Sequence, residues 1–164
     1  MTATTRDPAA SQPRRGPVRV SELPADLRLA LAGRDLIVFD GVCVLCSGFF
    51  RFVVRHDRAR RFSFATAQSP IGQRLYAALG LPTDEFETNL VMVDGVIHQR
   101  LSAFAAAMGA LGWPWRAFCA VRWLPAPLAD PAYHAIARNR YRLFGRAETC
   151  LLPDPALRAR FVEA

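Results

Sequence analysis

Cys43 and Cys46, separated by Val44 and Leu45, with Asp40 three residues before the first of them, are the side chains of this sequence whose types and spacing could do chemistry together. At the start of a helix, two cysteines so spaced lie one turn apart on nearly the same side, so a disulfide can close with little backbone movement. The first of them sits among unpaired amide N–H groups at the positive end of the helix dipole. Such a setting lowers a thiol from about 8.5 to about 3.5–7.5. Cys43 is therefore the candidate nucleophile. Its thiolate would attack a substrate disulfide, and Cys46 would resolve the mixed disulfide by attacking Cys43. No cofactor is expected.

Two other uses of a CxxC pair compete with this one. A zinc site needs four ligands, and Cys119, Cys150, His56, His98 and His134 supply no second close-spaced pair. Inert packing of the two cysteines is the remaining alternative. Cys119 and Cys150 read as buried small residues or incidental thiols. For Asp40, two readings stay open: with Gly41 it forms the turn leaving a strand, or its carboxylate accepts or relays a thiol proton. A negative charge held beside Cys43 would raise its pKa, so a catalytic Asp40 must be protonated or aimed at Cys46.

The elements that must position this group are legible on both sides of it. Leu36-Ile37-Val38-Phe39 is a compact apolar run that predicts a buried strand, punctuated by Asp40-Gly41. From Val44 to Asp57, apolar residues at 45, 49, 52 and 53 predict a helix with one buried stripe. Arg61-Phe62-Ser63-Phe64-Ala65 alternates as a strand does, and Ser69-Pro70 caps a second helix closed by Gly80. Asn89 to Val93 and Val96 to Gln99 flank Asp94-Gly95, a strong signal for a hairpin with a type I′ turn. Ser102 is placed to cap a helix to about Leu111, ended by Gly112. This order, strand-helix-strand-helix-strand-strand-helix, is that of a minimal thioredoxin fold. It predicts an α/β protein with a small mixed sheet flanked by helices, the first two strands parallel and the hairpin antiparallel. Beyond it, Pro114, Pro125, Pro127 and Pro131 fragment the chain until Asp130-Pro131 starts a helix to Leu143, which Gly145 can stop.

With 164 residues, 52% of them hydrophobic and 21% charged, the chain is sized and composed as one globular domain. The expected division is an N-terminal extension over 1–33, mostly disordered with a short helix around Leu23, Leu27 and Leu31. A domain over 34–150 follows, including a helical C-terminal extension from 113, and then a tail over 151–164. The first twenty residues lack the apolar core of a secretory signal, so a cytoplasmic, reducing location is expected, where paired cysteines are more often catalytic or metal-binding than structural. The net charge of +7 comes with 21 basic residues that are all arginine. No dense basic run with interleaved aromatics occurs, so no nucleic-acid partner is expected. Leu101 to Trp115 carries no charge but is broken by Gly109, Gly112 and Pro114 before the ~18 residues a membrane span needs. A buried helix followed by a loop is the reading, with peripheral membrane contact or a protein-docking surface as its alternative.

The stretch Phe39-Asp40-Gly41-Val42-Cys43-Val44-Leu45-Cys46 resembles the DCC family of predicted thiol-disulfide oxidoreductases, named for its Asp-x-x-Cys-x-x-Cys start. The resemblance extends through Arg61-Phe62-Ser63-Phe64, Gln68-Ser69, Asp94-Gly95 and Ser102. It ends at Asn139-Arg140-Tyr141-Arg142-Leu143-Phe144-Gly145 and Cys150, spanning roughly residues 34 to 150. It implies a thioredoxin-like fold and disulfide exchange, with Asp40, Cys43 and Cys46 as the active-site triplet. The partners it implies are a disulfide-containing protein or small molecule and an electron donor or acceptor. In the helix around Asn139, Tyr133, Ile136, Ala137 and Phe144 are the expected buried stripe, and Arg138, Arg140 and Arg142 are solvated or hold a nearby carboxylate. Thioredoxins place a cis-proline just before the strand facing the CxxC. Here Thr88-Asn89 stands in that place and the nearest proline is Pro82, which predicts a preference for small or unusual disulfides over extended polypeptide.

Overall fold

The structure, a computed structural model, describes residues 16–84, 86, 88–146 and 155–162. In chain order its elements are β1 (Val18–Arg19), α1 (Ala25–Leu31), β2 (Asp35–Phe39), α2 (Val44–His56), β3 (Phe62–Thr66), α3 (Pro70–Ala78), β4 (Leu90–Val93), β5 (Val96–Gln99), α4 (Arg100–Leu111), α5 (Ala126–Phe144) and α6 (Pro155–Arg158). A 3-10 stretch, Trp115–Trp123, links α4 to α5.

The strands form one sheet in the order β1-β5-β4-β2-β3. β2 pairs in parallel with β3, Ile37 facing Phe64, and antiparallel with β4, Ile37 facing Val91. The β4–β5 hairpin turns on Asp94 and Gly95, both at positive φ (51° and 74°), as a type I′ turn requires. The mixed, thioredoxin-like sheet expected from the order of elements is therefore present. Side chains alternate across it. Leu36 and Val38 enter the core under α1 and α3 with Leu27, Leu31, Ile71 and Leu75. Ile37 and Phe39 enter the opposite core with Phe50, Val53, Phe64 and Ala103. The dithiol belongs to this second core, where Cys43 and Cys46 are both buried.

Several local expectations shift. The buried face of α2 is Cys46, Ser47, Phe50 and Val53, while Leu45 is exposed and Phe49 and Phe52 are only half-buried. The expected stripe is displaced because α2 packs on two sides. Phe50 lies against Phe39 and Phe64 of the sheet, whereas Phe49 and Phe52 meet Phe104 and Trp115 of the neighbouring α4 and 3-10 stretch. α4 starts at Arg100, and Ser102 lies inside its first turn with its hydroxyl donating to the Gln99 carbonyl (2.7 Å) in place of capping. Gly109 does not break α4. Its missing side chain instead leaves room for Cys119, whose Sγ would lie 3.2 Å from a Cβ there. α5 begins four residues before Asp130, at Ala126, with Pro125 as its N-cap and Pro127 in its first turn, and it carries Pro131 inside. Its inward residues are Tyr133, Ala137, Arg140 and Tyr141, whereas Ile136 and Phe144 are exposed. Arg140 replaces them because it has a buried partner.

Residues on both sides of the expected 34–150 domain pack against it. Val18, Leu23, Leu27 and Leu31 are buried in the first core, and Val18 opposite Ile97 adds β1 to the sheet. At the other end, residues read as a tail cover the exposed edge of β3, whose unpaired backbone groups need partners. The Val162 amide donates to the Phe64 carbonyl (2.8 Å), and the Phe161 ring meets Phe39, Phe50 and Phe64. Residues 1–15 of the expected disordered extension, and Cys150, lie outside the described residues. Among the described residues no helix is long and apolar enough to cross a membrane.

Candidate active site: a buried dithiol

Asp40 leaves the end of β2, and the Cys43 amide donates to its carbonyl (3.2 Å), closing the turn that starts α2. Cys43 is the N-cap residue, with extended backbone angles (φ −89°, ψ 121°). Nothing from the usual capping set stands there, and the sulfur takes that role by accepting the Cys46 amide at 3.4 Å. Both cysteines are in the free-thiol state.

This geometry sets the two thiols apart. Side-chain hydrogen bonding with Cys46 is the largest of the influences that pull Cys43 down from the ordinary thiol value to about 6. Burial opposes this, the Cys46 amide and the Arg140 charge add to it, and the Asp40 charge works against it. Cys46 is pushed far up, first by the same hydrogen bond, then by burial and by the neighbouring Cys43. One sulfur is thus poised as thiolate while the other keeps its proton.

The carboxylate of Asp40 takes its hydrogen bonds from groups other than the two thiols. Its Oδ1 accepts from the Gln68 side-chain amide (2.7 Å) and the Val42 backbone amide (3.1 Å). Its Oδ2 accepts from Arg140 Nη2 (3.1 Å) and from the Tyr141 hydroxyl. Four donors on two oxygens saturate this carboxylate and link α5 to the loop that carries the thiols. Gln68 reinforces the link, its Oε1 accepting the Gly41 amide at 3.2 Å.

Cys43 is fully buried, and its backbone forms a bridge with Arg146, just past the end of α5. A cavity of about 250 Å³ reaches Cys46, walled by Leu45, Phe49, Val91, Leu101, Phe104 and Tyr133. Asn89, where thioredoxins carry proline, points its Oδ1 at Cys46 Sγ (3.8 Å).

The structure thus brings Asp40, Cys43 and Cys46 together, as their spacing implies. It adds Gln68, Asn89, Arg140 and Tyr141, of which Arg140 was legible only as a cation in search of a carboxylate. Cys119 stands apart on the 3-10 stretch that follows α4, its thiol donating to the Ala105 carbonyl of α4 (3.3 Å). Among the described residues no three His, Cys, Asp or Glu side chains cluster in a way that could hold a metal ion.

Comparison with known proteins agrees with this arrangement. The DCC1-like thiol-disulfide oxidoreductase family model matches residues 37–146. The chain is similar to the uncharacterized protein YuxK of Bacillus subtilis (strain 168), 38% identical over 127 residues that cover 77% of this chain and 93% of that protein. It is also similar to the chloroplastic DCC family protein At1g52590 of Arabidopsis thaliana, 33% identical over 121 residues that cover 73% of this chain and 70% of that protein. No solved structure matches. With that family model covering most of the chain and its Asp-x-x-Cys-x-x-Cys residues drawn into one buried group, the chain belongs to the DCC1-like thiol-disulfide oxidoreductase family.

Proposed function

We propose that this protein exchanges a Cys43–Cys46 dithiol for the disulfide of a substrate. The Cys43 thiolate attacks one substrate sulfur, the S–S bond breaks, and the first half leaves as a thiolate. Cys46 then gives up its proton and attacks Cys43. The Cys43–Cys46 bond forms and the second half of the substrate leaves as a thiol. Two electrons pass to the substrate, and a dithiol reductant returns the protein to its starting state.

The observation that carries this reading is the place of Cys43 at the N-cap of α2, its sulfur accepting the Cys46 amide at 3.4 Å, in a setting that pulls Cys43 down and pushes Cys46 up. A thiol near 6 is largely ionised at neutral pH, which favours attack. Arg140 supports the thiolate, and Asp40 is a positioning residue that holds Arg140 in place. Because Cys43 is fully buried, reaction there requires the backbone at Arg146 to give way or the substrate to enter along Cys46. A reducing compartment such as the cytoplasm suits a pair that must be recycled as thiols.

The test is turnover of insulin with dithiothreitol as reductant, or reduction of a small aromatic disulfide by the pre-reduced protein freed of added thiol. Cys43→Ser is expected to abolish it, and Cys46→Ser to stall at a mixed disulfide visible as an added mass. Turnover that survives Cys43→Ser removes the reading.

A further inference from the structure

Two cavities meet at Arg100. The apolar one beside Cys46 has Arg100 in its wall, and so does a polar one of about 580 Å³ lined also by Asp130, His134, Arg138 and Asn139. Three features single out Arg100. It begins α4 in the left-handed backbone region, φ 56°, which a residue with a long side chain seldom adopts and which concentrates at functional sites. Its Nε is buried without a hydrogen-bond partner, an unfavourable state for a guanidinium unless something else occupies the space beside it. The polar cavity holds a second guanidinium, Arg138, and the similarly unpartnered buried Nδ1 of His134, against the one carboxylate of Asp130.

A cation that borders both an apolar cavity and a polar one selects a molecule with two ends. Guanidinium groups bind carboxylates through paired, charge-assisted hydrogen bonds. The apolar walls accept a ring or an aliphatic body. We propose that the substrate is a low-molecular-weight disulfide with an apolar body and a carboxylate. The body occupies the cavity with a sulfur against the thiol pair, and the carboxylate rests on Arg100 with support from Arg138. This rests on the exchange reading above and deepens it. The reduced pair supplies two electrons, the substrate S–S bond breaks into two thiols, and the Cys43–Cys46 bond forms.

The test compares dithiobis(nitrobenzoate), an aromatic disulfide with a carboxylate on each ring, with the uncharged dithiodipyridine. The readout is the ratio of their kcat/KM values in a single turnover of the pre-reduced protein, freed of added thiol. Arg100→Gln is expected to lower that ratio about tenfold, the weight of a charge-assisted contact. Arg138→Gln, at an exposed position tolerant of change, is expected to lower it about threefold. Calorimetric binding of both compounds to the Cys43→Ser/Cys46→Ser double variant reads recognition without chemistry, and the carboxylated compound is expected to bind more tightly in an Arg100-dependent way. A kcat/KM ratio unchanged in both arginine variants overturns the inference and leaves the exchange reading standing. Exchange absent with both compounds, while Arg100-dependent binding persists, overturns the exchange reading and leaves the carboxylate site standing.

Discussion

The carboxylate of Asp40 and the guanidinium of Arg140 meet 3.1 Å apart although 100 residues of chain separate them, and both side chains are almost wholly buried. Neither charge has water to turn to. The pair therefore couples the loop carrying the thiols to α5.

Arg140→Leu leaves Asp40 buried without its counter-charge and is expected to cost about 3–5 kcal/mol in urea unfolding. Asp40→Asn/Arg140→Leu is expected to recover a large part of that loss. The two single variants move Cys43 in opposite directions, because Arg140 lowers its pKa and Asp40 raises it. Arg140→Leu raises the Cys43 pKa and Asp40→Asn lowers it, as read by the pH dependence of alkylation.

In the native dithiol, Cys43 is expected to titrate with a midpoint near pH 6 in ultraviolet thiolate absorbance. Cys46→Ala removes the side chain that lowers it most and is expected to raise that midpoint by about one unit or more, even though the backbone amide remains. An unmoved midpoint would show that the amide and Arg140 suffice.

The stability of the reduced protein depends on pH with a sign that differs for the two thiols. Cys43 has a depressed folded pKa, so its contribution is complete above the unfolded thiol value of about 9 and is lost as pH falls towards about 6. Cys46 has a raised folded pKa, so its contribution is complete below about 9 and is lost as pH rises further. Chemical unfolding of the reduced form against a Cys43→Ser/Cys46→Ser control is expected to show a thiol-dependent maximum near pH 9. A flat difference would contradict it.

Phe161→Ala is expected to destabilise the fold by about 2 kcal/mol, below the range for a fully buried phenylalanine because this ring is half-buried. It also removes the ring that touches Phe39 and Phe50, one on each side of the thiol loop. Thermal unfolding measures the first effect and the rate of Cys43 alkylation the second, with faster alkylation expected.

At Gly72 the effect of alanine runs against helix propensity. Alanine would normally gain about 1 kcal/mol over glycine in a helix. A Cβ at this position would lie 2.2 Å from the Thr66 carbonyl oxygen and 2.8 Å from that of Ala67, both on the backbone. Gly72→Ala is therefore expected to destabilise the protein by about 1–3 kcal/mol in denaturant unfolding.

The sequence shows the scaffold of the site and leaves much of its surroundings hidden, for a physical reason. β2, the turn at Asp40-Gly41 and the start of α2 depend on neighbours within a few residues, and so does the Asp94-Gly95 hairpin. All of these are local signals. Arg140 finding Asp40, Phe161 reaching Phe64 and Asn89 facing Cys46 are tertiary contacts, and neither periodicity nor turn chemistry encodes them. The α5 stripe illustrates the limit. Apolarity alone favoured Ile136 and Phe144, but the buried ion pair turned the helix so that Arg140 and Tyr141 face inward. Asp40 shows the same limit from the other side, since its position before the cysteines was plain while the direction of its carboxylate was not.

The backbone bridge and ion pair that tie Cys43 and Asp40 to residues 146 and 140 also fix a timetable. On a ribosome the two sulfurs emerge long before the guanidinium that supports the thiolate, and longer still before the aromatic ring at 161. The emerging chain thus carries a pair of ordinary, solvated thiols. The tuning of Cys43 and the shelter of the pair are complete only when the segments carrying Arg140 and Phe161 fold back, so a chain interrupted before residue 140 would carry both cysteines without the ion pair and the ring that complete their surroundings.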